Sequence, residues 1–331
     1  MHSKGVSIII PTWNGKQLLA RCLPPLLSAM PSFQGPWEII VVDDAGTDDT
    51  GLFLGAKYPE VRYQKLPTNV GNGQALNHGA ALARYELLFF LDNDVEVTPS
   101  FLDSLLPHFE DKDVFAVGCH AVERGNETGS PLFLPRVKMR YGIFWYYYET
   151  LPPDMQEPVP ALFASAGHAL FSRNKVDALG GFDELYGKYY LEDLDLCYRA
   201  WKKGWRSLVE ARSKVYHEGA GTIGKVLTRR DIQRRQWRNR FLFTWKNIQD
   251  PSLLSRHLLF LIPELLLLPF LGKATFTQGF FDALPLLGSV PPKRRQAGDE
   301  SILSDAEVLK RVGPFRPPTD HGSFIQKGLG R

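Results

Sequence analysis

The chain has 331 residues, of which 44% are hydrophobic, 23% charged and 12% aromatic, and 39 basic residues face 36 acidic ones for a net charge of +3. This excludes a mainly disordered, collagenous or coiled-coil chain, and the near-neutral balance argues against a nucleic-acid partner. The length predicts about two domain-sized units, or one large domain with an appendage.

Short apolar runs alternate with helical patterns over the first 120 residues. Val6–Ile10 ends at Pro11, Ile39–Val42 at Asp43-Asp44, and Leu87–Leu91 at Asp92. Each run suits a strand buried on both faces. Helices are predicted between them at Lys16–Ser28, Thr47–Lys57 and Gly73–Arg84. Such alternation implies βαβ units and a mostly parallel sheet, whose ligands bind beyond the carboxyl ends of the strands. Residues 121–160, with six prolines and the aromatic run Phe144–Tyr148, read as an insertion or substrate-facing loop. Order returns at Ala161–Ser172 and in a helix beginning near Glu192. A basic helix is predicted over Thr228–Asn247, and Ser304-Asp305-Ala306-Glu307 reads as the capping box of a short helix. The tail after Gly313 is expected to be loose.

Leu258–Leu271 is interrupted by Pro263, Glu264 and Pro269 and is too short for a spanning helix, which needs ~20 apolar residues. It reads as a buried helical hairpin or as a segment lying in a membrane interface. Cys22, Cys119 and Cys197 lie far apart without a CxxC pair, which argues against a disulfide framework or a cysteine zinc site. A reducing, cytoplasmic compartment fits, and Val6–Ile10 is too short for the apolar core of a secretory signal.

Asp92-Asn93-Asp94 follows a strand end. In extended chain the two aspartates point the same way, and Mg²⁺ sites commonly combine one or two carboxylates with substrate phosphates. The motif reads as such a site or as a solvated loop. Asp43-Asp44 stands at another strand end, where acidic side chains can accept hydrogen bonds from a ribose or base; turn and cap roles for Thr47 and Asp48 compete with that reading. Asn69-Val70-Gly71-Asn72-Gly73 is neither a Walker loop nor GxGxxG. In the helix from Glu192, Asp195 and Arg199 share the polar face with Glu192, while Asp193 sits at the edge of the apolar side. There Asp193 reads as a helix-terminal carboxylate favoured by the dipole or as a general base facing a cleft. His217 precedes a glycine-rich turn and reads as a metal or phosphate contact or as a surface histidine. Lys225–Arg240 carries seven cations against Asp231 alone. It reads as a solvated basic face or as a surface attracting anionic lipid or a lipid-diphosphate acceptor.

Taken in order, these segments resemble the inverting family 2 glycosyltransferases, in the rhamnosyltransferase-like and galactofuranosyltransferase-like branch. The resemblance runs over about residues 5–245, through Ser7–Gly15, Glu38–Thr50, Asn69-Val70-Gly71 with Asn77, Leu91–Asp94, Gly180–Glu184, Glu192–Leu196 and His217 with Thr222. It implies a GT-A fold: α/β, with a mostly parallel mixed sheet flanked by helices and a C-terminal helical extension. Residues 1–120 would form the nucleotide-sugar half, 121–225 the acceptor half of the same domain, 226–290 a basic and apolar helical extension, and 291–331 a polar tail with one short helix.

The same resemblance implies that Pro11, Thr12, Trp13, Asp43, Asp44, Asn69, Asn77, Asp92 and Asn93 line the nucleotide. Asp92, Asp94 and His217 would hold Mg²⁺ or Mn²⁺, Asp193 would be the catalytic base, and Glu192 and Asp195 would contact the acceptor. Thr222 falls one residue late for the HxxxT spacing. The implied partners are a nucleotide-diphosphate sugar donor, a saccharide or lipid-linked saccharide acceptor and an anionic membrane surface, with the protein in the cytoplasm or peripheral on the cytoplasmic face of the inner membrane. A polyprenyl-phosphate glycosyltransferase, a sugar nucleotidyltransferase and an inactive sugar- or lipid-binding relative are the competing readings.

Overall fold

The computed structural model describes residues 4–140, 142–217 and 227–314. Its strands are β1 (Val6–Thr12), β2 (Trp37–Asp43), β3 (Arg62–Lys65), β4 (Leu87–Leu91), β5 (Val95–Val97), β6 (Val114–Val122), β7 (Leu132–Arg140), β8 (Ile143–Leu151), β9 (Val159–Pro160), β10 (His168–Ser172) and β11 (Arg206–His217). The helices are α1 (Lys16–Ala29), α2 (Thr50–Lys57), α3 (Asn72–Leu82), α4 (Arg173–Ala178), α5 (Glu192–Lys202), α6 (Arg229–Asn247), α7 (Pro251–Leu267), α8 (Ala274–Ala283), α9 (Val290–Asp299) and α10 (Asp305–Arg311).

One mixed sheet runs β3-β2-β1-β4-β10-β6-β11-β5, with β9 added to β11. Its first four strands are parallel, and β10 enters antiparallel to both β4 and β6. Alternate residues of the apolar runs feed two cores. Ile9, Ile40 and Phe90 join Ala75 and Leu76 of α3 on one face. Ile8, Ile10, Val41 and Phe89 join Leu19, Leu23 and Leu26 of α1 on the other. Burial of both faces is why these strands read as continuous apolar runs.

Strand β1 continues past Pro11 to Thr12, two residues beyond the predicted end. It pairs with β4 only through Ile9, so at Pro11 the strand has a single neighbour and a missing N–H is tolerated. Helix α2 starts at Thr50, not Thr47; the backbone N–H groups of Thr47 and Asp48 ahead of it donate to Asn14 Oδ1 at 2.6 and 3.2 Å.

The irregular region expected at 121–160 is corrected. β7 and β8 form a two-stranded antiparallel ribbon in which Leu132 pairs with Leu151 and Arg136 with Tyr147. The aromatic run is strand, and Pro135 is tolerated because the ribbon leaves one edge of β7 free.

The predicted capping box of Ser304 with Glu307 opens α10, and a second box, Thr228 with Asp231, opens α6. Leu258–Leu271 is not a buried hairpin. Leu254, Leu261, Leu265 and Leu268 pack on the core, but Leu258, Leu259, Ile262, Leu266 and Phe270 are 64–89% exposed. No helix among the described residues is long and apolar enough to cross a membrane.

Candidate active site

The strand order brings the Asp92–Asp94 loop to the centre of the sheet's carboxyl edge. Asp92 N–H donates to the Gly167 carbonyl at 2.8 Å, and Asn93 Nδ2 donates to Thr12 Oγ1 at 2.8 Å, tying the loop to β10 and β1. After Asp94 the chain forms β5, which pairs antiparallel with β11 so that Val95 faces His217. This register sets His217 Nε2 3.7 Å from Asp94 Oδ2. His168, at the start of β10, stacks obliquely near His217 with 6.2 Å between ring centroids, and its Nδ1 is buried with no hydrogen-bond partner.

The charges at this centre are unequal. Burial, then the neighbouring Asp94 carboxylate, push Asp92 up to about 7. Burial also acts to raise Asp94, but hydrogen bonding and charge attraction from His217 hold it below the usual carboxylate range. His217 is raised by the same contact. Burial pushes His168 down to about 4, so it is a neutral imidazole near neutral pH. Two crowded carboxylates beside two imidazoles are oxygen and nitrogen donors suited to a divalent cation, which His217 can ligate only in its neutral form. Among the described residues no group of three or more His, Cys, Asp or Glu is preassembled as a metal cage. The donors present fit a metal that takes its remaining ligands from a diphosphate.

Asp193 is brought to the same pocket as Asp92 by the first turn of α5. Tyr190 and Leu191 both have φ of +72°, a strained conformation for side-chain-bearing residues, immediately before α5. Asn239 of α6, fully buried, donates from Nδ2 to the Tyr190 carbonyl at 2.7 Å and the Tyr189 carbonyl at 3.0 Å, holding this turn. Asp193 accepts from the Leu194 N–H at 2.7 Å and is half-buried. Burial raises both Asp193 and Glu192 above the usual carboxylate range, and for Glu192 the adjacent Asp193 charge adds to it. Asp92, Glu192 and Asp193 line one pocket of about 290 Å³ walled by Tyr146, Tyr148 and Phe163. A carboxylate with a raised pKa beside an acidic metal-type centre can accept a proton from a bound hydroxyl.

Several expected contacts are corrected. Asp195 is fully buried and faces away from this pocket; Tyr186, Lys246 and Asn247 donate to its Oδ1, and Arg199 and Lys246 to its Oδ2. It is a structural ion pair, because the face shared with Arg199 packs against α6. Asp43 is 1% exposed, with Oδ1 accepting from Gly46 N–H and Oδ2 from the Tyr63 hydroxyl. It shapes the turn after β2, with both carboxylate oxygens engaged within the chain. Asn77 reads both backbone groups of Phe182, donating to the carbonyl at 2.8 Å and accepting from the N–H at 2.9 Å, and so clamps the Gly180–Glu184 segment to α3.

Asp44 accepts from the N–H groups of Val70 and Gly71 at 2.6 and 2.8 Å, while Asn69 Nδ2 donates to the Asp44 carbonyl at 3.1 Å. These two residues join β2 to the 69–71 loop beside half-buried Trp13 and buried Pro11. Thr222 and the glycine-rich turn after His217 lie outside the described residues, as does the tail from residue 315.

The sequence singles out neither His168 nor Asn239, and it gives Tyr146 and Tyr148 only as part of the aromatic run in an insertion or substrate-facing loop. The alternation of Phe144, Tyr146 and Tyr148 was the available signal that one face of a strand carries aromatics into a cleft. His168 and Asn239 carry no local signal, since each acts through residues distant in the chain.

The family model for glycosyl transferase family 2 matches residues 7–180. A curated relative, dodecaprenyl-phosphate galacturonate synthase of Rhizobium johnstonii, is 27% identical over 118 residues, covering 34% of this chain and 35% of the relative. N-acetylglucosaminyl-diphospho-decaprenol L-rhamnosyltransferase of Mycobacterium tuberculosis is 26% identical over 250 residues, covering 66% of this chain and 77% of the relative. The chain spans about a quarter to a third of the length of the first curated relatives it matches. Among solved structures, mannosyltransferase PcManGT of Pyrobaculum calidifontis, in complex with GDP-Man and Mn²⁺, aligns with a TM-score of 0.52 at 16% identity, covering 94% of this chain and 86% of that one. The likeness shows the GT-A fold that the sequence led us to expect.

Proposed function

The chain belongs to glycosyltransferase family 2, and on that premise we propose that it transfers a hexosyl or deoxyhexosyl group from a nucleotide-diphosphate sugar to an acceptor hydroxyl with inversion. The observation that carries this reading is that Asp92 and Asp193 line one small aromatic-walled pocket. Pro11, Thr12 and Trp13 would line the nucleoside, with Asp44 and Asn69 shaping the loop around it. Asp92, Asp94 and His217 would hold Mg²⁺ or Mn²⁺. When bound, that ion supplies positive charge against the charge developing on the departing diphosphate.

Asp193 takes the proton of the acceptor hydroxyl. The acceptor oxygen forms its bond to the anomeric carbon as the bond from that carbon to the nucleotide diphosphate breaks on the opposite face. A single displacement inverts the centre. Glu192 and the Tyr146–Tyr148 wall would orient the acceptor sugar, whose apolar faces suit aromatic rings. The acceptor class is a saccharide or lipid-linked saccharide of a surface polysaccharide or glycolipid. The exposed apolar face of α7 supports peripheral attachment to a membrane surface.

Calorimetric titration with UDP, GDP and dTDP, with and without Mn²⁺, tests the donor reading. Metal-dependent binding of one diphosphate, lost in Asp94→Ala, is the expected result. Binding of nucleoside triphosphate with pyrophosphate release would turn the assignment to a nucleotidyltransferase.

A further inference from the structure

At the opposite edge of the sheet from Asp92, a cavity of about 610 Å³ opens between the starts of β4 and β6, the end of β10 and α4. Its volume lies within the range of small-ligand sites. The register of Ser172 on Leu87 and His168 on Leu91 puts this cavity and the catalytic edge at the two ends of one strand pair, β10 and β4. Lys175 lies in the lining and is 9% exposed. Its Nζ donates to the carbonyls of Lys112 at 2.5 Å and Val114 at 2.6 Å and stands 5.7 Å from the Trp205 ring centroid. An ammonium this deep is rare without a counter-charge. Among the described residues Lys175 nevertheless forms no ion pair. Burial holds it below the usual lysine range, and the charges of Asp113 and Asp111 do not make this up.

The other cations of the lining are also short of partners. Lys112 forms no ion pair among the described residues, Arg173 comes only to 3.7 Å of Asp177, and Arg84 only to 3.8 Å of Glu38. The carboxylates nearby are turned to other work or to solvent. Arg206 and the Asp113 N–H hold Asp111, Glu86 accepts from the Gly5 N–H at 3.0 Å, and Glu110 is exposed. Guanidinium and ammonium groups bind phosphate oxygens through charge-assisted hydrogen bonds. A phosphoryl group brings three acceptor oxygens and up to two charges, which suits several converging cations better than a single carboxylate does. We propose that this cavity binds a phosphoryl oxyanion carried on a small molecule, held by Lys175, Arg173 and Lys112. Tyr85, Leu87 and Phe109 line the space left for the rest of that molecule. The site stands apart from the transfer chemistry, needs no divalent cation and does not depend on the transferase reading.

The full-length protein is titrated calorimetrically with inorganic pyrophosphate in buffer stripped of divalent cations, so that no metal ion bridges the probe to Asp92 and Asp94. Saturable binding at one site is expected. Malonate, a dicarboxylate dianion, should bind at least ~10-fold more weakly. Lys112→Glu and Arg173→Glu should each weaken pyrophosphate by ~10-fold or more, while circular dichroism shows the fold unchanged. Asp94→Ala, at the far end of the strand pair, should leave pyrophosphate binding within about twofold. Lys175→Met should abolish it, and the two exposed-cation variants keep the test decisive if that protein fails to fold. Heat without saturation, indifference to both charge reversals, malonate binding as tightly as pyrophosphate, or loss of the site in Asp94→Ala would each overturn the proposal.

Discussion

A Cβ atom at Gly167 would lie 2.4 Å from Oδ2 of Asp92. The carboxylate occupies the space that any larger residue there would need, and the Gly167 carbonyl receives the Asp92 N–H. Gly167→Ala should therefore displace the carboxylate while leaving the strands paired. Metal-dependent nucleotide binding is expected to weaken roughly 10–100-fold, as for loss of a group supporting a metal ligand. Calorimetry with Mn²⁺ and the preferred diphosphate checks this, with circular dichroism confirming the fold.

Asp193→Asn should lower kcat by about 10²–10⁴-fold and leave nucleotide binding within about twofold. Burial holds Asp193 above the usual carboxylate range, so the ionised, proton-accepting form grows as pH rises through that raised value. The rate should climb with pH beyond ~4, where an unperturbed aspartate has already ionised. A rate profile flat from pH 4 to 8, or near-normal turnover of the variant, would remove Asp193 from the base role.

Asn239→Ala should leave the Tyr189 and Tyr190 carbonyls without their side-chain donor and relax the strained turn before α5. A loss of about 1–3 kcal/mol in urea unfolding is expected, as for a buried polar group left unpaired. If the turn positions Asp193, kcat should fall by more than KM changes.

Asp195→Asn should cost about 3–5 kcal/mol, because Arg199 loses its buried counter-charge and Lys246 keeps only Asp183. In the native protein Asp195 is held far below its ordinary value: burial opposes this, but the Lys246 and Arg199 charges outweigh it. A carboxyl so lowered stabilises the fold fully above its unfolded pKa, near 4, and that stability drains away as pH falls towards the folded value. The variant should show a flatter acid limb in melting temperature between pH 5 and 3.

Ile262→Glu with Phe270→Glu should abolish co-sedimentation with anionic phospholipid vesicles and leave nucleotide binding unchanged. Both side chains lie on the exposed face of the α7 region, 65% and 89% accessible. Vesicle binding that survives both changes would detach the membrane role from this helix.

The sheet was legible because Val6–Ile10, Ile39–Val42 and Leu87–Leu91 are continuous apolar runs ending in polar residues, a pattern with few other physical solutions. The positions of Asp92 just past a strand end and of Asp193 at a helix start were also readable. Exposure was not. Asp43 and Asp195 look like ligands in sequence, yet each meets partners that nothing local announces: Tyr63 for one, Lys246 and Asn247 for the other. The ribbon at β7–β8 was hidden by Pro135 and the flanking prolines, since composition marks a turn and an edge strand alike.

Helix α5, which begins with Glu192-Asp193, is anchored at its far end by Asp305, which accepts from the Tyr198 hydroxyl and Lys202 Nζ and caps the backbone at Gln249 and Asp250. Asp305 leaves the ribosome 107 positions after Tyr198. The sheet can assemble on a nascent chain long before this anchor arrives, so the maturing polypeptide should hold a nucleotide-sized cleft while the far end of its α5 still lacks the Asp305 contacts. Turnover then becomes a late event of synthesis, and a ribosome-stalled chain ending near residue 300 should bind diphosphate yet transfer no sugar.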